Sequence, residues 1–98
     1  RVFNDRGALL AGVEISSSVR SRVVQMATGA WWDPTPIEPR RSLCKHGNVN
    51  ALTKDQGTSS LAQGPTSLSC LVEIEVYKGD LFEVTAHESP EIVSSIEI

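Results

Sequence analysis

Long apolar runs are missing from this sequence, and none approaches the roughly 18 to 20 residues that a helix needs to cross a bilayer. Membrane insertion is therefore not expected, and residues 1–6 do not read as the basic start of an export leader. Positive charge is also in short supply. Nine Lys and Arg stand against twelve Asp and Glu, a net charge of -3 that is poorly suited to coating nucleic acid. There are only two cysteines, Cys44 and Cys70, too few for the disulfide framework of a small secreted scaffold. Cys44 and His46 could each ligate a metal, but structural zinc takes four ligands at recognisable spacings, and those spacings are absent. No Gly-x-Ser-x-Gly elbow, Gly-x-Gly-x-x-Gly turn or Walker loop occurs, which argues against a hydrolase triad and the common nucleotide loops.

What is present suits one domain over residues 1–98, because 98 residues with 40% hydrophobic content can hold one core but not two. Residues 87–98 read as a weakly patterned tail. Val2-Phe3 already looks like the end of a strand, so the chain is expected to be a fragment cut on its N-terminal side. Asn4-Asp5-Arg6-Gly7 carries turn chemistry and predicts a β-hairpin whose second arm, residues 8–15, places apolar side chains at 9, 11, 13 and 15. Gly12 in that arm suggests a bulge or a close backbone approach. Residues 19–26 predict another strand that ends in a glycine turn at Gly29.

Residues 33–50 hold three of the five prolines and read as a long structured loop. Residues 53–67, rich in Thr, Ser, Gly and Gln, read as a second, and two such loops in a small domain point to a binding surface. Residues 68–77 alternate cleanly, with Leu68, Cys70, Val72, Ile74 and Val76 on one face and Ser69, Glu73 and Glu75 on the other. Residues 81–86 read as a short extended segment. The fold class is thus mainly β with long loops and at most short helices, and a closed barrel would leave no exposed strand edges.

Five segments occur in order: Val2-Phe3-Asn4-Asp5-Arg6-Gly7, Thr28-Gly29-Ala30-Trp31-Trp32-Asp33-Pro34, Leu43-Cys44-Lys45-His46-Gly47-Asn48-Val49-Asn50-Ala51-Leu52-Thr53, Gly57-Thr58-Ser59-Ser60-Leu61-Ala62-Gln63-Gly64 and Cys70-Leu71-Val72-Glu73-Ile74-Glu75. Together they resemble the C-terminal domain of the dimethyl sulfoxide reductase family, with most similarity to its trimethylamine N-oxide and biotin sulfoxide reductases. The resemblance implies a double-psi β-barrel that closes over bis(molybdopterin guanine dinucleotide), with molybdenum held by the other domains of a parent reductase. It implies an enzyme that removes oxygen from an S-oxide or N-oxide, in which this segment is not itself catalytic. It also implies cofactor contacts at Asn50, Gln63 and Gly64, and further contacts at Asn48, His46 and Trp31. The compartment would be cytoplasmic for the biotin sulfoxide type and periplasmic for the trimethylamine N-oxide type. Two departures stand out: Ser21-Arg22 replaces a Pro-Gly or similar turn, and Val49 replaces a proline between the two asparagines.

The residue types fit that assignment. A pterin edge presents amide-like donors and acceptors, and Asn and Gln side chains offer both kinds of group. Gly64 beside Gln63 lets the backbone approach a ligand, and Arg40 and Arg41 could meet a pyrophosphate. Each residue also has a plain reading. Asn50 could close an Asx-turn, Gln63-Gly64 could be a solvated turn, and Trp31-Trp32 could be core packing or a domain plug. For the chain as a whole, a free-standing binding module and an oligomerisation domain remain the alternatives.

Overall fold

The computed structural model describes residues 1–35, 43–64, 69–89 and 92. The expected hairpin is there. Its arms are β1 (Val2–Phe3) and β2 (Ala8–Leu9), antiparallel, with Val2 opposite Leu9 and Phe3 opposite Ala8. The turn between them is built by Asn4, whose Oδ1 accepts the amide hydrogens of Arg6 (2.9 Å) and Gly7 (3.3 Å). Short Asx chemistry of this kind is why Asn-Asp-x-Gly favours a turn over a continued strand.

Two further strands flank the hairpin: β3 (Leu43–Cys44) runs parallel to β2, and β4 (Glu73–Ile74) runs antiparallel to β1. The resulting sheet is open, in the order β3-β2-β1-β4. Antiparallel neighbours can be joined by a tight turn, whereas a parallel pair needs a crossover of a dozen residues or more. Here the whole stretch between Leu9 and Leu43 is that crossover. Its regular elements are mainly strands, each of two residues, and among the described residues the one helical element is a 3-10 turn, Val49–Ala51.

The core is small and sits where β2, β3 and the 3-10 turn meet. Leu9, Cys44 and Leu52 form it, with Val2, Met26, Ala51, Cys70 and Val72 packed around them. Val2, Leu9 and Cys44 belong to three adjacent strands, and Cys70 and Val72 close the cluster from the segment leading into β4.

Several expected strands are shorter than their patterns suggest. The second hairpin arm stops at Leu9, and Val13 and Ile15 beyond it are almost fully exposed. Residues 19–26 form no strand; Val23 and Val24 are exposed, and only Met26 reaches the core. Of the alternating residues 68–77 only Glu73–Ile74 form a strand, and Cys70 and Val72 pack on the core while Ile74 and Val76 are exposed; Leu68 lies outside the described residues. A strand persists only where a neighbour takes its N–H and C=O groups; past Ile74 the pairing continues to Glu75, whose amide donates to the Arg1 carbonyl (3.0 Å) and whose carbonyl accepts from the Arg1 nitrogen (2.9 Å), whereas residues 11–15 and 19–26 have no strand partner among the described residues. Gly12 has nothing near the position of a side chain, so the expected bulge or close approach is not found there. Conversely, the proline-rich loop of residues 33–50 contains β3. Pro34 bridges Cys44, the Thr35 amide donates to the Leu43 carbonyl (2.9 Å), and the Lys45 amide donates to the Asp33 carbonyl (2.9 Å).

Candidate functional site

The segment from Cys44 to Thr53 is locked from several sides. Asn48 caps the 3-10 turn, its Oδ1 accepting the Asn50 amide hydrogen at 2.9 Å, and the Leu52 amide donates to the Val49 carbonyl at 3.0 Å. It is therefore Asn48, not Asn50, that closes the Asx-type turn. Asn50 itself is exposed. Its Oδ1 accepts the Thr53 hydroxyl at 3.2 Å, and its Nδ2 donates to no partner among the described residues. Val49 keeps helical backbone, and its carbonyl accepts the closing bond.

The hairpin turn grips the far end of this segment. The Leu52 carbonyl accepts hydrogens from Asn4 Nδ2 (2.9 Å) and Arg6 Nε (2.7 Å), and Asn4 Nδ2 also reaches the Leu71 carbonyl (3.2 Å). Gly7 lies so close to the turn that a Cβ there would be 2.5 Å from the Ala51 carbonyl oxygen. Gly47, just before Asn48, has φ +81°, a left-handed conformation that glycine adopts without the usual steric cost.

The near end is anchored by Cys44 and Asp33. The Cys44 sulfur is fully buried and accepts the amide hydrogens of Asp33 and Asn48, each at 3.4 Å. Both oxygens of the buried Asp33 carboxylate are engaged: Oδ2 accepts the Thr85 amide and Oδ1 the Thr85 hydroxyl, at 2.7 Å each, with Lys45 Nζ 3.7 Å from Oδ1. Burial pushes this carboxyl up. The Thr85 hydroxyl and amide, the Lys45 ammonium and the Ala86 amide outweigh it and hold the group below its ordinary value.

Around that anchor stand three rings. His46 Nδ1 is 3.1 Å from the Trp31 carbonyl, which can only accept, so Nδ1 carries the hydrogen and Nε2 remains as the ring's other polar atom. His87 packs on Trp31 with centroids 4.9 Å apart, and meets His46 edge-on at 5.4 Å. Trp31 and Trp32 are both largely exposed, so neither is a core residue.

Gln63 and Gly64 sit apart from these groups, in a turn of their own. The Thr58 amide donates to the Gly64 carbonyl (2.9 Å), and Gln63 Nε2 donates to the carbonyls of Ser59 (2.9 Å) and Ser60 (3.3 Å). The structure thus joins Trp31 with His46, and Asn48 with Asn50; no described hydrogen bond ties either pair to Gln63. Arg40 and Arg41 lie outside the described residues. Asp33 and His87 were not singled out in the sequence as site residues. Asp33 falls inside the Trp-Trp-Asp-Pro motif, but nothing local to Thr85 and His87 marks their long-range contacts. Two open troughs lie elsewhere, one lined by Arg1 and residues 75–79 and the other by residues 3–5 and 71–73. Neither includes Asn50, Gln63 or Trp31.

Residues 1–71 match the family described as Molydopterin dinucleotide binding domain. The chain belongs to that family. This molybdopterin dinucleotide-binding domain is 46% identical over 98 residues to a trimethylamine-N-oxide reductase of Salmonella typhi, covering 99% of this chain and 12% of that protein. It is 41% identical over 90 residues to a dimethyl sulfoxide/trimethylamine N-oxide reductase of Rhodobacter capsulatus, covering 92% of this chain and 11% of that protein. The trimethylamine-N-oxide reductase 1 of Escherichia coli K12 is 47% identical over 85 residues, covering 87% of this chain and 10% of that enzyme. The domain therefore corresponds to about an eighth of the length of such relatives, and is a member of the dimethyl sulfoxide reductase family, as its motifs suggested.

Proposed function

We propose that this chain is one wall of the bis(molybdopterin guanine dinucleotide) site in a reductase of S-oxides or N-oxides, with the molybdenum held by the other domains. The carrying observation is the state of Asn50. Its backbone amide and its carboxamide oxygen are bonded to Asn48 and Thr53, while its amide hydrogens have no partner among the described residues and the residue is exposed. A side chain immobilised on one edge and open on the other is pre-organised to bind, because little rotamer freedom is left to lose. Chemically it fits a pterin or guanine edge, whose carbonyls and ring nitrogens accept such hydrogens.

His46, held by the Trp31 carbonyl, offers Nε2 as a second polar contact, and Trp31 offers an exposed face for stacking. Gln63 fits less directly, because its amide hydrogens are spent on Ser59 and Ser60; its carbonyl oxygen and the Gly64 backbone are what it brings to a ligand. When bound, the cofactor supplies the two-electron chemistry, and these residues bind and orient it. Exposed Val13, Ile15, Leu61, Leu71 and Val76 support the reading that the remaining domains of a parent enzyme cover this one. So does a radius of gyration of 16.3 Å, against about 13 Å for a compact domain of this length. In that setting the open sheet is part of a double-psi β-barrel.

The test is Asn50→Ala in the full-length reductase. Bound cofactor, measured as pterin released per protein on denaturation, should fall severalfold while the melting temperature stays with the parent. Parental cofactor content in a correctly folded variant would sink the assignment.

A further inference from the structure

Trp31, His46 and His87 come from three distant parts of the chain, and each lies within two residues of a group that touches Asp33. Trp31 precedes Asp33 by two positions. His46 follows Lys45, whose amide donates to the Asp33 carbonyl (2.9 Å) and whose Nζ stands 3.7 Å from the carboxylate. His87 follows Thr85 by two, and Thr85 gives that carboxylate both its amide and its hydroxyl hydrogen. Asp33, only 5% exposed, thus ties together the three segments that carry the rings, while Trp31 and His87 are exposed.

We infer that Asp33 is a positioning residue that assembles Trp31, His46 and His87 into one aromatic face, and that His87 is an additional contact of this face for a planar, amide-edged ring of the dinucleotide cofactor. This rests on the cofactor reading above. A tilted tryptophan-histidine pair, with a second imidazole edge-on, offers both ring surface for stacking and ring nitrogens for the edge of a heterocycle. If the cluster served only to pack the chain, its largest ring would be expected to be covered, whereas Trp31 is 60% exposed. A carboxylate suits the anchoring role because one group can hold two hydrogens from a single distant residue and attract a cation from a third segment.

The experiment uses the full-length holoenzyme and measures the rate of cofactor release by pterin fluorescence, together with the melting temperature. His87→Ala should melt with the parent and release cofactor faster by on the order of fivefold to tenfold, the value of one stacking contact. His87→Phe, which keeps a ring, should recover most of that loss. Asp33→Asn should also speed release, and by more than Leu9→Val, a core variant that lowers the melting temperature without touching the rings. Release no faster than in Leu9→Val at equal loss of melting temperature would overturn the positioning role of Asp33. Parental release from His87→Ala while Asn50→Ala releases fast would overturn the aromatic face and leave the cofactor reading intact. Parental release from both would remove the two together.

Discussion

Asp33 and Thr85 are 52 positions apart in sequence, yet the two oxygens of the Asp33 carboxylate accept the amide and hydroxyl hydrogens of Thr85 at 2.7 Å each. This contact ties the C-terminal part of the chain to the Trp31-Trp32-Asp33 segment. It is made by a residue that carries charge in the interior, and that charge makes the clasp sensitive to acid.

In the folded chain the Asp33 carboxyl is held below its ordinary value, so the unfolded chain takes up this proton at the higher pH. The stability that follows is fully present above the ordinary aspartate range and is lost as pH falls through the lower folded-state value. Thermal melts taken from neutrality into acid should show the parent losing stability across that window. Asp33→Asn should melt lower at neutral pH and converge on the parent in acid. A gap that stays constant with pH would mean that another group governs the acid response.

Gly7→Ala places a methyl group 2.5 Å from the Ala51 carbonyl oxygen, where both partners are backbone and neither can swing away. The hairpin turn or the 3-10 turn must then shift. A loss of about 1 to 3 kcal/mol is expected in urea unfolding, with backbone amide shifts at Val49, Asn50 and Ala51. An unfolding midpoint equal to that of the parent would show that the turn is softer than its hydrogen bonds imply.

Arg22 has φ +63°, and the Val23 amide donates to the Arg20 carbonyl at 3.1 Å. With no positive φ at Ser21, this is a type II turn, the geometry that favours proline at its second position and glycine at its third. Ser21 and Arg22 hold this turn without the proline and glycine that form it cheaply. Ser21→Pro together with Arg22→Gly should raise stability by about 1 kcal/mol, through relief of left-handed strain and a more restricted unfolded chain. Calorimetry would check this, and a lower melting temperature in the double variant would argue for a different turn in solution.

Much of the candidate site could be read from the sequence because it is written in short motifs whose chemistry is local. Asn4-Asp5-Arg6-Gly7 had to turn. The His46-Gly47-Asn48-Val49-Asn50 run had to be loop, and Asn48 capping the turn of Asn50 is a contact two residues long. The strands were less legible. Alternation at 9, 11, 13 and 15 records which face a strand would bury, but it carries no information on whether a neighbour lies beside it, and Val13 and Ile15 are exposed. β3 was hidden for the opposite reason, since Leu43–Cys44 is too short for any period to show within a proline-rich loop.

The sequence alone determined the family, the mainly β character and the hairpin, because motif order, turn chemistry and period-two patterning act over a few neighbouring residues. Only the tertiary structure decided that Cys44 lies at the centre of the core, that Asn50 is exposed while Asn48 closes the turn, and that Asp33 joins the segments carrying Trp31, His46 and His87. Those outcomes depend on contacts between Asp33, Lys45 and Thr85 and between Asn4, Leu52 and Leu71. Such contacts form only when distant segments are packed together, and the entropy of closing the loops between them leaves no periodic mark on the residues involved.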